Sequence, residues 1–315
     1  MSGLTLTAGL SFSGGFTFTE APVENTAAWF GGGADRVSRV NRITFATDTA
    51  TASVRGPLSA GRRYLAATGN TTYGWFGGGE GDLPGYLSIV DRITYATDTA
   101  TASVRGPLSL ARRELAAAGN TTDGWFGGGG NPGERSRADR ITYATDTATA
   151  SVRGPLSLGR AGLAAAGNTT DGWLGGGYNA GYRSIVDRIT YATDTATASV
   201  RGPLSSDRAS LGAAGNSTNG WFGGGNPGPR TTVVRITYAT DTATASVRGP
   251  LSVERDMIAA AGNTTDGWFA AGYTPGPGQR SIVDRITYAT DTATASVRGP
   301  LSAVTYGMGA AGGIQ

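Results

Sequence analysis

The side chains that most often perform chemistry in proteins are largely missing from this chain. It contains no cysteine and no histidine, and all 26 of its basic residues are arginine. A thiolate nucleophile, an imidazole base, a Cys/His metal site and a Schiff-base lysine are therefore excluded. We expect no catalytic residue, no bound metal and no cofactor.

Carboxylates, arginine and tyrosine are the functional side chains that remain. Glycoside hydrolysis needs two facing carboxylates, and the acidic loop residues show no spacing that selects a pair. Arginine and tyrosine are instead enriched at protein interfaces. The sequence thus favours a binding protein without enzymatic activity, whose scaffold must position these residues.

That scaffold is a repeat, because six copies of one unit occupy residues 25–313. A repeat period in the forties is typical of solenoids and propellers. Residues 310–313 match the first half of a phrase whose second half begins at Asn25. One copy is therefore split between the two termini, which favours a closed ring in which the chain ends meet.

Each unit reads as four short strands separated by turn signals. In one copy, residues 112–118 predict the first strand, 125–129 the second, 138–143 the third and 148–152 the fourth. The expected fold is all-β: a six-bladed β-propeller of four-stranded antiparallel blades over residues 23–315. Pairing of the C-terminal strand with the N-terminal blade would close the ring.

Residue sizes agree with this arrangement. The predicted first strands are mostly Ala and Gly, which suits the crowded axis, and each second strand places Trp beside Phe or Leu. Adjacent strand residues point to opposite faces, so both faces must be buried between neighbouring blades. We therefore interpret the tryptophans as core rather than as a sugar or nucleic-acid platform: Trp29, Trp75, Trp125, Trp173, Trp221 and Trp268.

The order of the residues that recur in every copy resembles the kelch repeat. The resemblance covers all six units and rests on a double glycine, a strand ending in Tyr-x-x-Asp, and Pro-Leu-Ser-x-x-Arg; in one unit these are Gly77, Gly78, Tyr95, Asp98, Pro107, Leu108 and Arg112. Two features depart from kelch repeats. The tryptophan expected after the Asp turn is an Ala/Ser region, and Ala270 and Ala271 replace one glycine pair.

Two further resemblances bear on function. The repeated phrase Ile-Thr-Tyr-Ala-Thr-Asp-Thr-Ala-Thr-Ala-Ser-Val-Arg-Gly-Pro-Leu-Ser is similar to propeller proteins of marine bacteriophages. Galactose-oxidase-like kelch enzymes need His and Cys, so that activity is excluded. Sialidases share six blades and use arginine, tyrosine and acids, but their Ser-x-Asp-x-Gly-x-Thr-Trp box is missing here, since Asp123-Gly124-Trp125 matches only part of it.

Differences between the copies mark a candidate binding surface. Only the segment from the Trp to Arg-Ile-Thr changes in length, and the residues after Leu-Ser change in type. In an up-and-down blade both regions lie at one end, so we expect a variable face opposite a uniform face. Loops on a rigid scaffold commonly bind ligands. The candidate binding residues on the variable face are Tyr64, Tyr86, Arg135, Arg137, Tyr178, Tyr182, Arg183, Arg230, Tyr273 and Arg280.

The repeated arginines and the aspartates of Ala-Thr-Asp-Thr recur too regularly for a single site. We expect them to form an inter-strand or inter-blade ion pair repeated six times. Acidic residues on the variable face nearly cancel its extra arginines, so we expect no nucleic-acid binding. No stretch approaches 18 apolar residues and no signal peptide is recognisable, so we expect no membrane insertion.

The first 22 residues differ from the repeats and form a separate segment. They alternate apolar and polar residues with period two, and such strands are not stable alone. They suit addition to the sheet edge of another protein, the alternative being a frayed terminus. The apolar positions of this predicted docking segment are Leu4, Leu6, Leu10, Phe12, Phe16 and Phe18.

Together these patterns predict a non-enzymatic virion protein, associated with a phage tail or capsid. It would contact other virion proteins through the docking segment and a host-surface glycan or protein through the variable face. The alternative is an intracellular, cytoplasmic kelch-type scaffold for a protein partner. A sialidase-like glycoside hydrolase is the remote alternative.

Overall fold

A computed structural model describes residues 25–82, 85–228 and 230–312. Within these residues, six four-stranded antiparallel sheets form a ring, which confirms the six-bladed β-propeller. The predicted docking segment, residues 1–22, lies outside the described residues. None of the described helices is long and apolar enough to cross a membrane.

We number the blades 1 to 6 from the N-terminus and their strands from the axis outward. The first strands, from blade 1 to blade 6, are Gly309–Gly312, Ala66–Gly69, Ala116–Gly119, Ala164–Gly167, Gly212–Gly215 and Ala259–Gly262. The second strands are Ala27–Gly31, Tyr73–Gly77, Asp123–Gly127, Asp171–Gly175, Asn219–Gly223 and Asp266–Ala270. The third strands are Val40–Thr44, Val90–Thr94, Ala138–Thr142, Val186–Thr190, Val233–Thr237 and Val283–Thr287. The fourth strands are Ser53–Arg55, Ser103–Arg105, Ser151–Arg153, Ser199–Arg201, Ser246–Arg248 and Ser296–Arg298.

Short 3₁₀ turns and one extra hairpin complete the described elements. A 3₁₀ turn follows every third strand, at Phe45–Thr47, Tyr95–Thr97, Tyr143–Thr145, Tyr191–Thr193, Tyr238–Thr240 and Tyr288–Thr290. Blade 1 has a further 3₁₀ turn, Ala34–Arg36, in its loop between the second and third strands. In blade 6 the same loop forms a small hairpin of Tyr273–Thr274 and Gly278–Gln279.

The predicted fourth strand, residues 148–152, was placed too early. In that blade the fourth strand is Ser151–Arg153, because the chain first makes the 3₁₀ turn and a second turn in which Ala148 N donates to Thr145 O. Ala150 N then donates to Pro107 O at 2.9 Å and not to the third strand, so the residues before Ser151 do not join the ladder. The second strand likewise begins earlier than predicted, since Asp123 already pairs with Thr142.

Ring closure is confirmed. Gly309–Gly312 forms the first strand of blade 1 and pairs antiparallel with Ala27–Gly31, so that Trp29 lies opposite Ala311. The chain therefore closes the ring by adding its last strand to its first blade, and loss of either terminus would open one blade.

The same set of contacts holds each pair of neighbouring blades together. Trp29 stacks on Tyr95 of the next blade at 3.8 Å between ring centroids, and its indole Nε1 donates to Asp98 Oδ2 at 2.8 Å. The same carboxylate also pairs with Arg42 at 3.1 Å. All six seams repeat this clamp, with Phe45 in place of the tyrosine at the closure. The tryptophans are thus core residues, and the predicted six-fold ion pair is confirmed between blades.

Candidate functional site: the variable face of the disc

Both variable regions lie on one face of the disc, as predicted. The connection into each first strand meets the loop between the second and third strands through isolated antiparallel bridges, such as Arg63 with Glu80, Ala161 with Tyr178 and Asp256 with Tyr273. We call this side the variable face. Rigid sheets therefore carry two sets of divergent residues to one shared surface.

At the centre of this face, six backbone hydrogen bonds form a closed ring around the axis. Each blade contributes one residue, whose N–H donates to the carbonyl of the equivalent residue in the preceding blade, at 2.6–3.0 Å. We call these residues the central ring: Tyr64, Glu114, Gly162, Ser210, Met257 and Gly307. This closed ring of hydrogen bonds joins all six blades at the axis.

The central ring imposes a left-handed backbone on all six of its residues, with φ between 52° and 69°. Glycine adopts this conformation without strain, whereas other residues pay about 1–3 kcal/mol. Two blades have glycine there, but the other four carry Tyr64, Glu114, Ser210 and Met257. These four half-exposed side chains are therefore held at the centre of the face at an energetic cost.

The largest of these side chains, Tyr64, lies across the centre. Its ring covers Gly307, where a β-carbon would approach Tyr64 Cδ1 to 2.8 Å. Its hydroxyl lies 3.7 Å from Met257 Sδ, and its ring is 6.1 Å from that of Tyr306. Tyr306 in turn makes an edge contact with Tyr273 at 5.9 Å. Burial raises the pKa of Tyr64 to about 12, so its phenol stays protonated and can donate at neutral pH.

Beside this aromatic group, three guanidinium groups from three blades converge on the carboxylate of Glu80. Arg36 and Arg63 donate to its Oε1 at 2.8 and 2.9 Å, and Arg113 donates to its Oε2. Arg63 also donates to the Tyr306 hydroxyl at 3.1 Å. We call Glu80 with these arginines the Glu80 cluster. It joins the loops of blades 1, 2 and 3 into one surface.

The Glu80 cluster also places two carboxylates, those of Glu80 and Glu114, beside one arginine. Arg113 contacts both Glu80 and Glu114, the latter at 3.6 Å. Burial would raise the pKa of Glu80, but hydrogen bonds from Arg113 and Arg63 outweigh it and lower that pKa. Burial raises the pKa of Glu114. The two residues come from different blades, so no spacing along the sequence relates them.

Three of the predicted binding residues lie at or beside the Glu80 cluster. The Tyr64 ring lies 4.9 Å from Arg63 Cζ, and the Tyr86 ring lies 5.4 Å from Arg113 Cζ. Tyr273 joins through its contact with Tyr306. Aromatic rings and partly exposed guanidinium groups together can hold a ligand by stacking and by charge-assisted hydrogen bonds.

The other predicted residues are spread over the loops of blades 3 to 6. Arg135 and Arg183 occupy equivalent positions and donate to the carbonyls of Asn131 and Asn179 within their own loops, at 2.9 and 2.8 Å. Their guanidinium groups therefore hold loop shape.

Arg137 donates to Ser109 Oγ at 2.7 Å, and Arg280 reaches Thr274 Oγ1 at 3.4 Å. Arg230 forms a backbone bridge with Arg255. The exposed Tyr178 and the half-exposed Tyr182 form an edge-on pair with ring centroids 5.5 Å apart. This pair is a second aromatic feature, separate from the cluster on blades 1 to 3.

The predicted binding residues did not include Glu80, Tyr306, Glu114 or Met257. The available signal was that each differs from its counterparts in the other five copies. Glu80, for example, aligns with Ala34, Gly130, Tyr178, Asn226 and Tyr273.

Cavities on the variable face are either small or open. The central ring encloses about 80 Å³, well below the 300–1,000 Å³ usual for small-molecule sites. A wider groove of about 570 Å³ lies between blades 6 and 1 and is lined by Asp35, Arg39, Gln279 and the exposed Val304, among others. Within the described residues no group of His, Cys, Asp or Glu could hold a metal ion. The variable face is therefore suited to binding a partner on its surface and not to enclosing a small molecule.

The opposite side, which we call the uniform face, is built from repeated turns. In blade 3, the Asn120 side chain accepts from the N–H groups of Thr122 and Asp123, both at 2.9 Å, and reaches Thr169 O of the next blade. The same arrangement recurs at Asn70, Asn168 and Asn216. These side chains stabilise turns, which explains their uniformity without a binding role.

Comparison with known proteins supports the fold alone. No protein-family model matches the sequence, and no curated protein matches it. By contrast, 484 solved chains match the structure, so the fold is widespread. One of them, "Structure of YjhT", superposes with a TM-score of 0.71 over 88% of this chain and 96% of that chain, at 13% sequence identity. Similarity this distant establishes a shared propeller, and propellers serve many functions.

Proposed function

We propose that this chain is a non-enzymatic structural and adhesion protein of a virion, which binds a host-surface receptor or a neighbouring virion protein through its variable face. The central ring carries the proposal. Tyr64, Glu114 and Met257 are kept in a left-handed backbone that glycine would adopt without cost. Strain of this kind persists where side chains are needed for function, and these side chains lie at the centre of the divergent surface.

The positions of the chain ends fit attachment from the opposite side. Asn25, the first described residue, donates to Asn70 O in the uniform-face turns at 3.0 Å, so the described chain begins on that side. If that segment docks on another virion protein, the variable face points away from the particle. Both binding surfaces would then be available at once.

The virion assignment rests on the similarity of the repeat phrase to phage propeller proteins. Its test is co-purification of the chain with intact particles through a density gradient. Recovery only as free protein in cell lysate would favour the intracellular kelch-type scaffold instead.

Receptor binding is tested by a glycan and lipopolysaccharide screen with purified protein. We expect Tyr178→Ala combined with Tyr182→Ala to weaken binding, because the exposed Tyr178 ring with Tyr182 beside it suits sugar stacking. Each lost aromatic anchor costs about 2 kcal/mol. Unchanged binding would assign recognition to the Glu80 cluster side of the face.

A glycoside hydrolase is the second candidate, favoured by the contact of Glu80 and Glu114 with one arginine. Environments that push two carboxyl pKa values apart are typical of acid–base pairs. However, both Glu80 oxygens already accept hydrogen bonds from guanidinium groups, which weakens Glu80 as a base or nucleophile. Release of reducing sugar from surface polysaccharide by the parent, abolished in both Glu80→Gln and Glu114→Gln, would overturn the non-enzymatic proposal.

A further inference from the structure

The loop between the second and third strands is shortest in blade 1. In blades 2, 3, 4 and 6 this loop folds back and closes through a backbone bridge; the bridges are Glu80–Tyr86, Gly130–Glu134, Tyr178–Tyr182 and Tyr273–Gln279. In blade 1 only Asp35 lies between the two equivalent positions, Ala34 and Arg36. The blade 1 loop therefore forms the 3₁₀ turn Ala34–Arg36 in place of a hairpin.

The short loop leaves a groove beside the hairpin of blade 6. The groove of about 570 Å³ lies between that hairpin and the blade 1 loop, above residues 303–305 of the connection into blade 1. Its volume falls within the range of about 300–1,000 Å³ that is usual for ligand sites. The difference in loop length between neighbouring blades therefore opens a space of ligand size on the variable face.

Other blades show which side chain usually occupies the position of Asp35. In blades 3, 4 and 6 the residue there donates from its side chain to a carbonyl of the connection; the pairs are Asn131 to Ala111, Asn179 to Gly159 and Thr274 to Glu254. The equivalent carbonyl in blade 1 is that of Val304. An ionised carboxylate only accepts hydrogen bonds, so Asp35 cannot donate to Val304 O. In blade 1 a second acceptor has replaced the donor.

Both acceptors are open to a ligand. Asp35 is exposed, and within the described residues its carboxylate makes no hydrogen bond and no ion pair. Val304 is 56% exposed, and its carbonyl accepts no hydrogen bond from the described part of the chain. A ligand that donates hydrogen bonds can therefore reach both oxygens.

The groove also offers donors. The Arg39 guanidinium and the Gln279 side-chain amide line it, and neither has a hydrogen-bond partner among the described residues. Arg39 differs in this from its blade 3 equivalent, Arg137, which donates to Ser109 Oγ at 2.7 Å. Acceptors and donors therefore lie together along one groove.

Charge and apolar contacts favour one class of ligand. The groove is lined by one carboxylate, that of Asp35, and one guanidinium, that of Arg39, so its formal charge is balanced and a charged ligand gains no net attraction. Each hydroxyl group both donates and accepts, which suits this mixture of groups. Apolar side chains also line the groove and can contact the C–H groups of a sugar ring; they are Val37, Pro277 and Ala303.

We propose that this groove binds a neutral carbohydrate chain. Its hydroxyl groups donate to Asp35 and to the carbonyl of Val304, and they accept from Arg39 and Gln279. The proposal rests on receptor binding by the variable face, and it names the place and the ligand class.

The test is a titration of the purified, ¹⁵N-labelled full chain with neutral tetrasaccharides: maltotetraose, cellotetraose and mannotetraose. The readouts are the backbone amide signals of Asp35 and Val304, the side-chain amide signal of Gln279, and the dissociation constant from calorimetry. We expect at least one tetrasaccharide to shift these signals saturably. Asp35→Asn restores the donor found in other blades, and asparagine tolerates the φ of 60° at this position. We expect this variant to bind about tenfold or more weakly.

Asp207→Asn is the matched control, because it removes an exposed carboxylate from blade 5 on the same face and should leave binding unchanged. If Asp35→Asn does not fold, Arg39→Gln provides the second test and should weaken binding. Unchanged binding in the folded variant, a response to none of the neutral tetrasaccharides, or an equal response to tetra-alanine would overturn the proposal. Tighter binding of a chitosan tetramer or of trigalacturonate would also overturn it, because the groove would then recognise charge.

Failure of the groove can be told apart from failure of the proposed function. Glycan binding that is lost in Tyr178→Ala with Tyr182→Ala, but kept in Asp35→Asn, would leave receptor binding on the variable face and refute the groove alone. Co-purification with intact particles tests the virion assignment without either variant.

Discussion

Replacing Asp48 with alanine tests whether the ring is closed by the same clamp that joins the other blades. Asp48 Oδ2 accepts from Trp268 Nε1 at 2.9 Å and from Arg285 at 3.1 Å, and it lies 3.4 Å from Arg298. The carboxylate is only 7% exposed. Its loss leaves the indole N–H without its acceptor, across the seam between the last and first blades. Both guanidinium groups lose this carboxylate, although Arg285 still lies 3.6 Å from Asp266.

The expected cost follows from that burial. Removing one partner of a buried ion pair costs about 3–5 kcal/mol. The two arginines are 18–26% exposed and can regain water, so we expect the lower end, about 3 kcal/mol. For a large domain this corresponds to a fall in melting temperature of about 6 °C. Guanidinium denaturation, followed by tryptophan fluorescence, measures the free energy directly.

Asp146→Ala is the matched control, because Asp146 makes the same contacts at an internal seam. It accepts from Trp75 at 2.8 Å and from Arg92 at 3.1 Å. We expect the two variants to lose equal stability within about 0.5 kcal/mol. A loss below about 1 kcal/mol for Asp48→Ala alone would show that Asp48 does not stabilise the seam between the last and first blades.

Three further predictions follow from the same structure. Deleting residues 303–315 removes the first strand of blade 1, so we expect insolubility or a large loss of stability in denaturation; a variant that melts like the parent would contradict ring closure. Gly162→Ala should destabilise the fold by about 1 kcal/mol, because φ there is 69° and the new β-carbon meets nothing closer than 3.3 Å. Ser210→Gly should stabilise the fold by a similar amount, because it relieves the same left-handed conformation. Changes of the opposite sign in the free energy of unfolding would show that the central ring is not strained. The pKa of Glu80 is lowered in the folded state, so its contribution is present above the usual value of 4.5 and is lost as pH falls below it. The stability gap between the parent and Glu80→Gln should therefore narrow on acidification, and a gap that widens would show that Glu80 is not held as an anion.

Much of the fold could be predicted because the same pattern of strands and turns occurs in six copies. The Ala-rich first strands, the Trp-bearing second strands and the split copy at the termini each follow from residue type and spacing. The fourth strand was misplaced because alternating Thr and Ala resemble a strand in composition, whereas Ala148 N closes a turn with Thr145 O and Ala150 N donates to Pro107 O. Backbone hydrogen bonds, rather than side chains, decide that boundary.

The candidate site was less predictable for physical reasons. The central ring is made of backbone hydrogen bonds, and only Gly162 and Gly307 give its left-handed conformation a residue signal. The Glu80 cluster joins residues from three blades, so no local spacing reveals it.

Two double variants, one on each face of the disc, show which face binds. One variant combines Tyr64→Gly with Met257→Gly, which removes the strained side chains at the centre of the variable face. The other combines Thr169→Ala with Thr170→Ala on the uniform face. Binding of each to a glycan and lipopolysaccharide array is compared with that of the parent, at matched folded concentration. We expect loss of binding only in the first variant; loss only in the second would show that the uniform face binds.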